Sequence, residues 1–295
     1  MDFFLQIMVN SIAIGSIYAL IGLGFVIIYK ASDVLNFAQG EFVMVGAFIS
    51  FYLLTTFKIP FWLAILITAP AVALLGIFTE ILVLRRMIGE PIFAVVMITI
   101  GLSEVLRNLM GIVCGPTDYV YPTIFSQSRV TIMKNVFLLP AQIWIIISAW
   151  LLVIVLLLFF NKTRVGLGMR TAASDQDVAL LMGVSVKRVF SISWGIASAV
   201  GAISGVLLGN LTTVNIHMGH VGLVVFPAII LGGLDSIGGA IVGGIVMGVV
   251  EAFSGGYLDK ALGGGIKEIT AFVVLIGILM IKPHGLFGKP EIERV

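Results

Sequence analysis

Charge is what this sequence has least of. Asp, Glu, Lys and Arg together make up 11% of its 295 residues, against about 25% in a soluble domain. Apolar residues fill 60%, against about 45–50%, and mean hydropathy is +1.17. These values exclude an ordinary water-soluble domain and leave a polytopic membrane protein. A single cysteine, Cys114, excludes an intramolecular disulfide and a cysteine-rich metal site; it reads as a small apolar residue near a helix end. No phosphate loop of the form Gly-x-x-x-x-Gly-Lys-Ser/Thr occurs, so the chain has no such route to ATP. No Ser, His and Asp are arranged for nucleophilic catalysis, and no carboxylates are paired at a recognisable spacing. The net charge of +2 points to no nucleic acid. No short apolar stretch with a small-residue cleavage site opens the chain, so the first apolar run is expected to be a retained helix.

What the sequence has instead is apolar length. Runs lie at about 5–29, 40–57, 61–83, 91–113, 141–160, 189–210, 221–232, 240–253 and 268–281. At about 20 residues per span these predict an all-α helix bundle of eight or nine transmembrane segments. The runs at 221–232 and 240–253 are short and interrupted by Gly232-Gly-Leu-Asp-Ser-Ile-Gly-Gly239. Backbone in lipid must satisfy its own hydrogen bonds, so such a break, carrying Asp235, is expected in the bundle interior. Basic residues assign the sides. Arg85 and Arg86, the cluster Lys162, Arg164, Arg170, Lys187 and Arg188, and Lys282 and Lys289 are cytoplasmic by the positive-inside bias. Nine crossings then place the N-terminus outside, with the 114–140 connection. If 221–253 forms one broken span, the count is eight and the N-terminus lies inside.

Glycine is abundant, 34 residues, and helically spaced: Gly15, Gly22 and Gly24; Gly195, Gly201, Gly205 and Gly209; Gly239, Gly243, Gly244 and Gly248. Small residues three or four apart let helix backbones approach, the main means of packing in lipid. Among the charged residues, Glu104 and Arg107 stand at i and i+3 and are expected to neutralise each other on one helix face. Glu41, Glu80 and Glu251 lie near apparent helix ends, which suggests interfacial positions. His217 and His220 are three apart, close enough to touch one metal, but a polar outer loop with solvated histidines is the plainer reading.

The polar stretch 163–188 stands between two runs able to cross a bilayer. Ser174 with Asp177 predicts a capped helix, Asp175 favours its dipole, and Gly183 stops it. A helix of about two turns is unstable alone in water. Its apolar stripe, Val178, Leu181 and Met182, therefore needs either a groove on a cytoplasmic protein or a resting place on its own bundle or on lipid headgroups.

The order Gly168-x-Arg170-x-Ala-x-x-x-Asp175-x-x-x-Ala179-x-x-x-Gly183-Val resembles the cytoplasmic coupling loop of ABC-type permeases of the branched-chain amino-acid class, on the LivH side of the LivH/LivM pair. The resemblance extends to Leu35-Asn-Phe-Ala-Gln-Gly-Glu41, to Ile230–Gly244 and to the closing Lys282–Val295, and so covers essentially the whole chain. It implies one permease domain over 1–295 with a coupling loop at 161–188, in the bacterial cytoplasmic (inner) membrane. It also implies a second, LivM-like permease, two cytoplasmic ATPase subunits that carry ATP and magnesium, and an extracytoplasmic solute-binding protein, with no cofactor on this chain. Arg170, Asp175, Ala179, Leu181, Met182 and Gly183 would then couple to the ATPases. Interrupted helices point to a transport pathway, which nominates Asn36, Gln39, Glu41, Gly232, Gly233 and Asp235. The solutes of the class are branched-chain and other neutral amino acids, and also urea, short amides and aromatic acids. The rivals are an ion-coupled secondary transporter, which would also use broken helices, and a passive channel, which would need no cytoplasmic knob.

Overall fold

Each of the nine apolar runs folds as a helix. The computed structural model describes residues 2–87, 90–122, 125, 130–133, 136–174, 176–259, 265–282 and 285–288. Helix α1 covers Asp2–Ser32, α2 Gln39–Thr55, α3 Phe61–Leu82, α4 Ile92–Cys114 and α5 Pro140–Lys162. Helices α6, Arg164–Ser174, and α7, Gln176–Leu181, fill the polar stretch. There follow α8, Val186–Gly209; α9, Val221–Gly232; α10, Ile237–Phe253; and α11, Ile266–Ile281. A short antiparallel hairpin, β1 (Val130–Met133) and β2 (Val136–Leu138), precedes α5. Pro60 and Pro91 stand just before α3 and α4, and Pro140 opens α5. Proline suits a helix start because its φ is preset and its missing N–H has no partner there.

Helix α1 is the axis of the bundle. Every residue from Gly15 to Ile28 is buried, which fits its all-round apolar sequence. Gly244 and Gly248 of α10 pack on Ala19 and Gly15 of α1, and α8 and α2 complete the interior. Helices α3, α4 and α5 lie outside this core and expose most of their apolar surface.

Contacts at the two ends order the strands of the bundle. At one end Gln6 Nε2 donates to the Phe137 carbonyl at 2.9 Å and Gln6 Oε1 accepts from the Phe137 N–H at 3.0 Å. There too, Tyr119 and Val214 exchange backbone hydrogen bonds. At the opposite end Lys30 and Ala31 share a small cavity with Phe160, Met169, Arg170 and Ile237. The basic residues of the short turn Leu84–Met87 after α3, of α6 and of the start of α8 gather at this second end, which the positive-inside bias assigns to the cytoplasm. The same assignment puts the N-terminal end of α1 on the outer side. Six of the nine helices are long and apolar enough to cross alone, whereas α2, α9 and the apolar part of α11 are shorter.

Two local expectations change. The polar stretch holds two helices, not one: α6 forms because Met169 and Ala172 bury their side chains, and that packing outweighs Gly166 and Gly168. Ser174 is the last residue of α6. Glu41, Glu80 and Glu251 stand near helix ends, as expected, but are buried against protein. Glu80 accepts from Arg85 Nη2 at 2.9 Å and from Ser191 Oγ at 2.6 Å, so its charge is met inside the bundle.

The Gly232–Gly239 break does lie against protein. Gly233 ends α9 at φ 97°, a left-handed turn that glycine takes without strain, and the Leu231 and Gly232 carbonyls accept from Leu286 N at 2.7 Å and Phe287 N at 3.2 Å. A Cβ at Gly239 would strike the Gly232 carbonyl, whereas one at Gly277 would meet nothing within 4 Å. Gly239→Leu should therefore destabilise the bundle by about 1–3 kcal/mol or more. Gly277→Leu should not, and thermal denaturation of the solubilised protein compares them. Orientation is equally testable. In a Cys114→Ser background, a cysteine at Lys58 should react with an impermeant maleimide in intact cells, and one at Arg188 only after permeabilisation; the reverse pattern would invert the topology.

Candidate functional site

Two interrupted helices meet inside the bundle. Ahead of α2, the Asn36 side-chain oxygen accepts from the Ala38 N–H at 3.0 Å, a local turn that competes with helix and halts the chain before Gln39. Ahead of α9, the Asn215 side-chain oxygen accepts from the His217 N–H at 3.0 Å in the same way. The two breaks read Asn36-Phe-Ala-Gln-Gly40-Glu41 and Asn215-Ile-His-Met-Gly219-His220, one Asn-x-x-x-Gly pattern used twice. In space the glycines touch. A Cβ on Gly40 would overlap the Gly219 carbonyl and lie 2.9 Å from the Gly222 nitrogen, and a Cβ on Gly219 would fall on the Glu41 carboxylate.

The junction is deep. Fourteen residues separate Glu41 from Thr55 at the outer end of α2, about 21 Å of helix. Helix α9 runs 12 residues, about 18 Å, from the junction to the Gly232–Gly239 break. The segment after α8 thus turns back into the bundle. Met218 and Gly219 are buried there, while His217 and His220 remain exposed as a polar loop would have them. Helices α2 and α9 thus both begin at this junction.

Asn36, Gln39 and Glu41 are all buried. Gln39 Nε2 donates to the Ala197 carbonyl of α8 at 2.9 Å. Glu41 Oε1 receives Arg107 Nη2 of α4 at 2.6 Å. Arg107 also reaches Glu104 Oε1 through Nη1 at 3.0 Å, so the expected Glu104–Arg107 pair forms, but as one arm of a three-residue bridge. The Glu41 carboxylate lies in the first turn of α2 and against the start of α9, where two helix dipoles favour negative charge. Above the junction, Tyr121 donates to the Ala47 carbonyl at 3.0 Å and also pairs with Ser50. Burial pushes the Tyr121 phenol well above its usual range and keeps it neutral.

The remaining nominated residues lie elsewhere. Gly232 and Gly233 are buried at the cytoplasmic end, beside Phe287 and Gly288, and Asp235 is exposed there. The structure does not bring them to the Asn36–Glu41 junction. In the polar stretch, Ala179 is buried while Val178, Leu180, Leu181 and Met182 project, Leu181 at 87% and Met182 at 75% exposure. Gly183 turns the chain at φ 81°, as its position predicts. Arg170 Nη1 donates to Asn161 Oδ1 at 3.1 Å. Asp175 lies outside the described residues. The residues overlooked in the sequence are Asn215, Gly219 and Gly222, together with the second arm of Arg107; the repeated Asn-x-x-x-Gly was the available signal.

Comparison with known proteins extends this picture. The family model described as "Branched-chain amino acid transport system / permease component" matches residues 7–282. The chain is 32% identical over 311 residues to the high-affinity branched-chain amino acid transport system permease protein LivH of Salmonella typhimurium, covering 99% of this chain and 98% of that one. It is 30% identical over 305 residues to the corresponding permease protein BraD of Pseudomonas aeruginosa, with 99% and 98% covered. Among solved structures it resembles PsaBC from Streptococcus pneumoniae in complex with Fab, with a TM-score of 0.50 and 12% identity over 96% of this chain and 93% of that one, a likeness of fold alone. The described residues hold no group of three His, Cys, Asp or Glu side chains placed to bind a metal. A helix bundle with paired internal breaks and a projecting cytoplasmic knob, matched over nearly its whole length, belongs to the family of permease components of branched-chain amino acid transport systems.

Proposed function

We propose that this chain is one of two permease subunits of an ATP-driven, binding-protein-dependent importer for branched-chain or other neutral amino acids in a bacterial cytoplasmic membrane. The observation that carries the reading is the knob. Buried Ala179 anchors α7 to the bundle while Leu180, Leu181 and Met182 are held out at the cytoplasmic end of a chain that has no phosphate loop of its own. Apolar side chains so exposed call for a groove to receive them, and an ATPase subunit is the partner that supplies energy. The solute class follows the named systems of the LivH and BraD relatives.

Movement of the knob has a short route inward. Helix α6 buries Met169 beside Lys30 and Ala31 at the end of α1, and α1 leads directly into the break at Asn36. The solute path runs along the face where α2, α4 and α9 approach one another, shared with a LivM-like permease. Outward, the connections around 114–140, 211–220 and 254–266 receive the binding protein. ATP and magnesium belong to the two ATPases, and this chain carries no cofactor.

Leu181→Asp should leave the permease in the membrane yet abolish uptake and reduce copurification of the ATPases. Unchanged uptake with normal subunit recovery would remove α7 from the docking role. The chain reconstituted alone should move no solute under a proton or sodium gradient, whereas the full complex should accumulate leucine only with ATP on the ATPase side and binding protein on the other. Gradient-driven uptake by this chain by itself would instead make it a secondary transporter.

A further inference from the structure

We propose that Glu104 and Arg107 form an ion-exchange site for a free neutral α-amino acid, in which Arg107 receives the α-carboxylate and Glu104 the α-ammonium. The proposal rests on the transport reading above and names the chemistry by which the path recognises its solute.

Arg107 has two unlike partners. Its Nη2 is held at 2.6 Å by Glu41, whose side chain is 2% exposed, and its Nη1 at 3.0 Å by Glu104, whose side chain is 56% exposed. The first bond fixes the guanidinium deep in the bundle. The second is an i,i+3 pair on one helix, longer and less buried than the first. Glu104 is therefore the partner that can be released.

A zwitterion can take both vacated positions at once. Its carboxylate accepts from Nη1, its ammonium donates to the freed Glu104, and no charge is left bare at bilayer depth, where an unpaired charge is strongly unfavourable. An amine or a carboxylate alone leaves one protein charge without a partner. The set of two carboxylates and one guanidinium carries a net −1, which a neutral amino acid leaves unchanged; a second carboxylate on the solute would find no cation. Ile100, one turn before Glu104 on the same face of α4, is exposed and offers apolar surface to the side chain.

A second feature points to a ligand. Among the described residues, Glu41 Oε2 and Arg107 Nε are buried with no hydrogen-bond partner, although native proteins leave few such atoms unsatisfied. The constellation holds one spare acceptor and one spare donor where the starts of α2 and α9 converge. Rearrangement of the bridge around a bound zwitterion can satisfy both.

The test uses the purified permease–ATPase complex without nucleotide or binding protein, and saturation-transfer NMR, which reads weak ligands. The probes are L-leucine, 3-methylbutylamine, which lacks the carboxylate, and 4-methylpentanoate, which lacks the ammonium. Leucine should bind at least about tenfold more tightly than either analogue, as loss of one charged hydrogen bond implies. Glu104→Gln should erase the preference for leucine over 4-methylpentanoate while keeping that over 3-methylbutylamine, and Glu104→Asp should restore it. A purely structural ion pair would not split the analogues in this way. The site is overturned if the wild-type complex treats the three probes alike, or if Glu104→Gln leaves their ranking unchanged. Glu104 faces outward, and subunit recovery checks that the variant assembles. Leucine uptake by wild-type proteoliposomes, measured alongside, tests the transport reading separately: uptake without discrimination defeats this site, and discrimination without uptake defeats the importer.

Discussion

The arrangement depends on one backbone contact, Gly40 against Gly219 and Gly222 at the centre of the bundle. Two helices can begin there only if their ends touch protein, because lipid supplies no partner for the free N–H groups of a helix start. Glycine allows that approach, and the two asparagine turns set where each helix begins. Once the ends meet, the chain acquires a polar interior that no continuous helix would have. A side chain at either glycine would push the junction apart and expose Glu41 to its surroundings.

That interior explains how Glu41 is tolerated. Arg107 meets it at 2.6 Å and two helix starts add favourable potential. Removing one partner of a buried pair typically destabilises a protein by about 3–5 kcal/mol. Glu80 is held by the same logic, through Arg85 and Ser191, near the cytoplasmic end. The buried Glu41 and Glu80 thus each join elements that are distant in the chain, α2 to α4 and α3 to α8.

Much of this was legible in residue order. The apolar runs predict the helices to within a few residues, because in lipid length and hydropathy override local propensity, and the glycine-spaced faces of α1 and α10 do pack together. What escaped is non-local. Glu41 looks like a helix-end residue in the sequence, and it is one, but the end lies inside the bundle because the chain turns early at Asn36. The segment at 215–220 carries two histidines and reads as a solvated loop, yet Gly219 draws it inward. Helix α6, with Gly166 and Gly168, has little propensity of its own and owes its form to the burial of Met169 and Ala172. The Gly232–Gly239 break was expected in the interior and is packed there, but at the cytoplasmic end, because α9 starts halfway and reaches that end with only 12 residues.

Helix α1 touches both faces of the bundle: Gln6 is bonded to the β2 backbone outside, and Lys30 and Ala31 adjoin α6 inside. Were the proposed partners to bind at the two ends of this unbroken rod, any coupling between them would be thermodynamically reciprocal. Whatever free energy an outer partner spends in preferring one position of α1 is the same free energy by which that position alters affinity at the inner surface, and the exchange holds in reverse. If the proposed motor engages at the knob and shifts this rod, it would change how tightly the outer mouth holds its visitor, by the same factor as the visitor changes the grip of the motor.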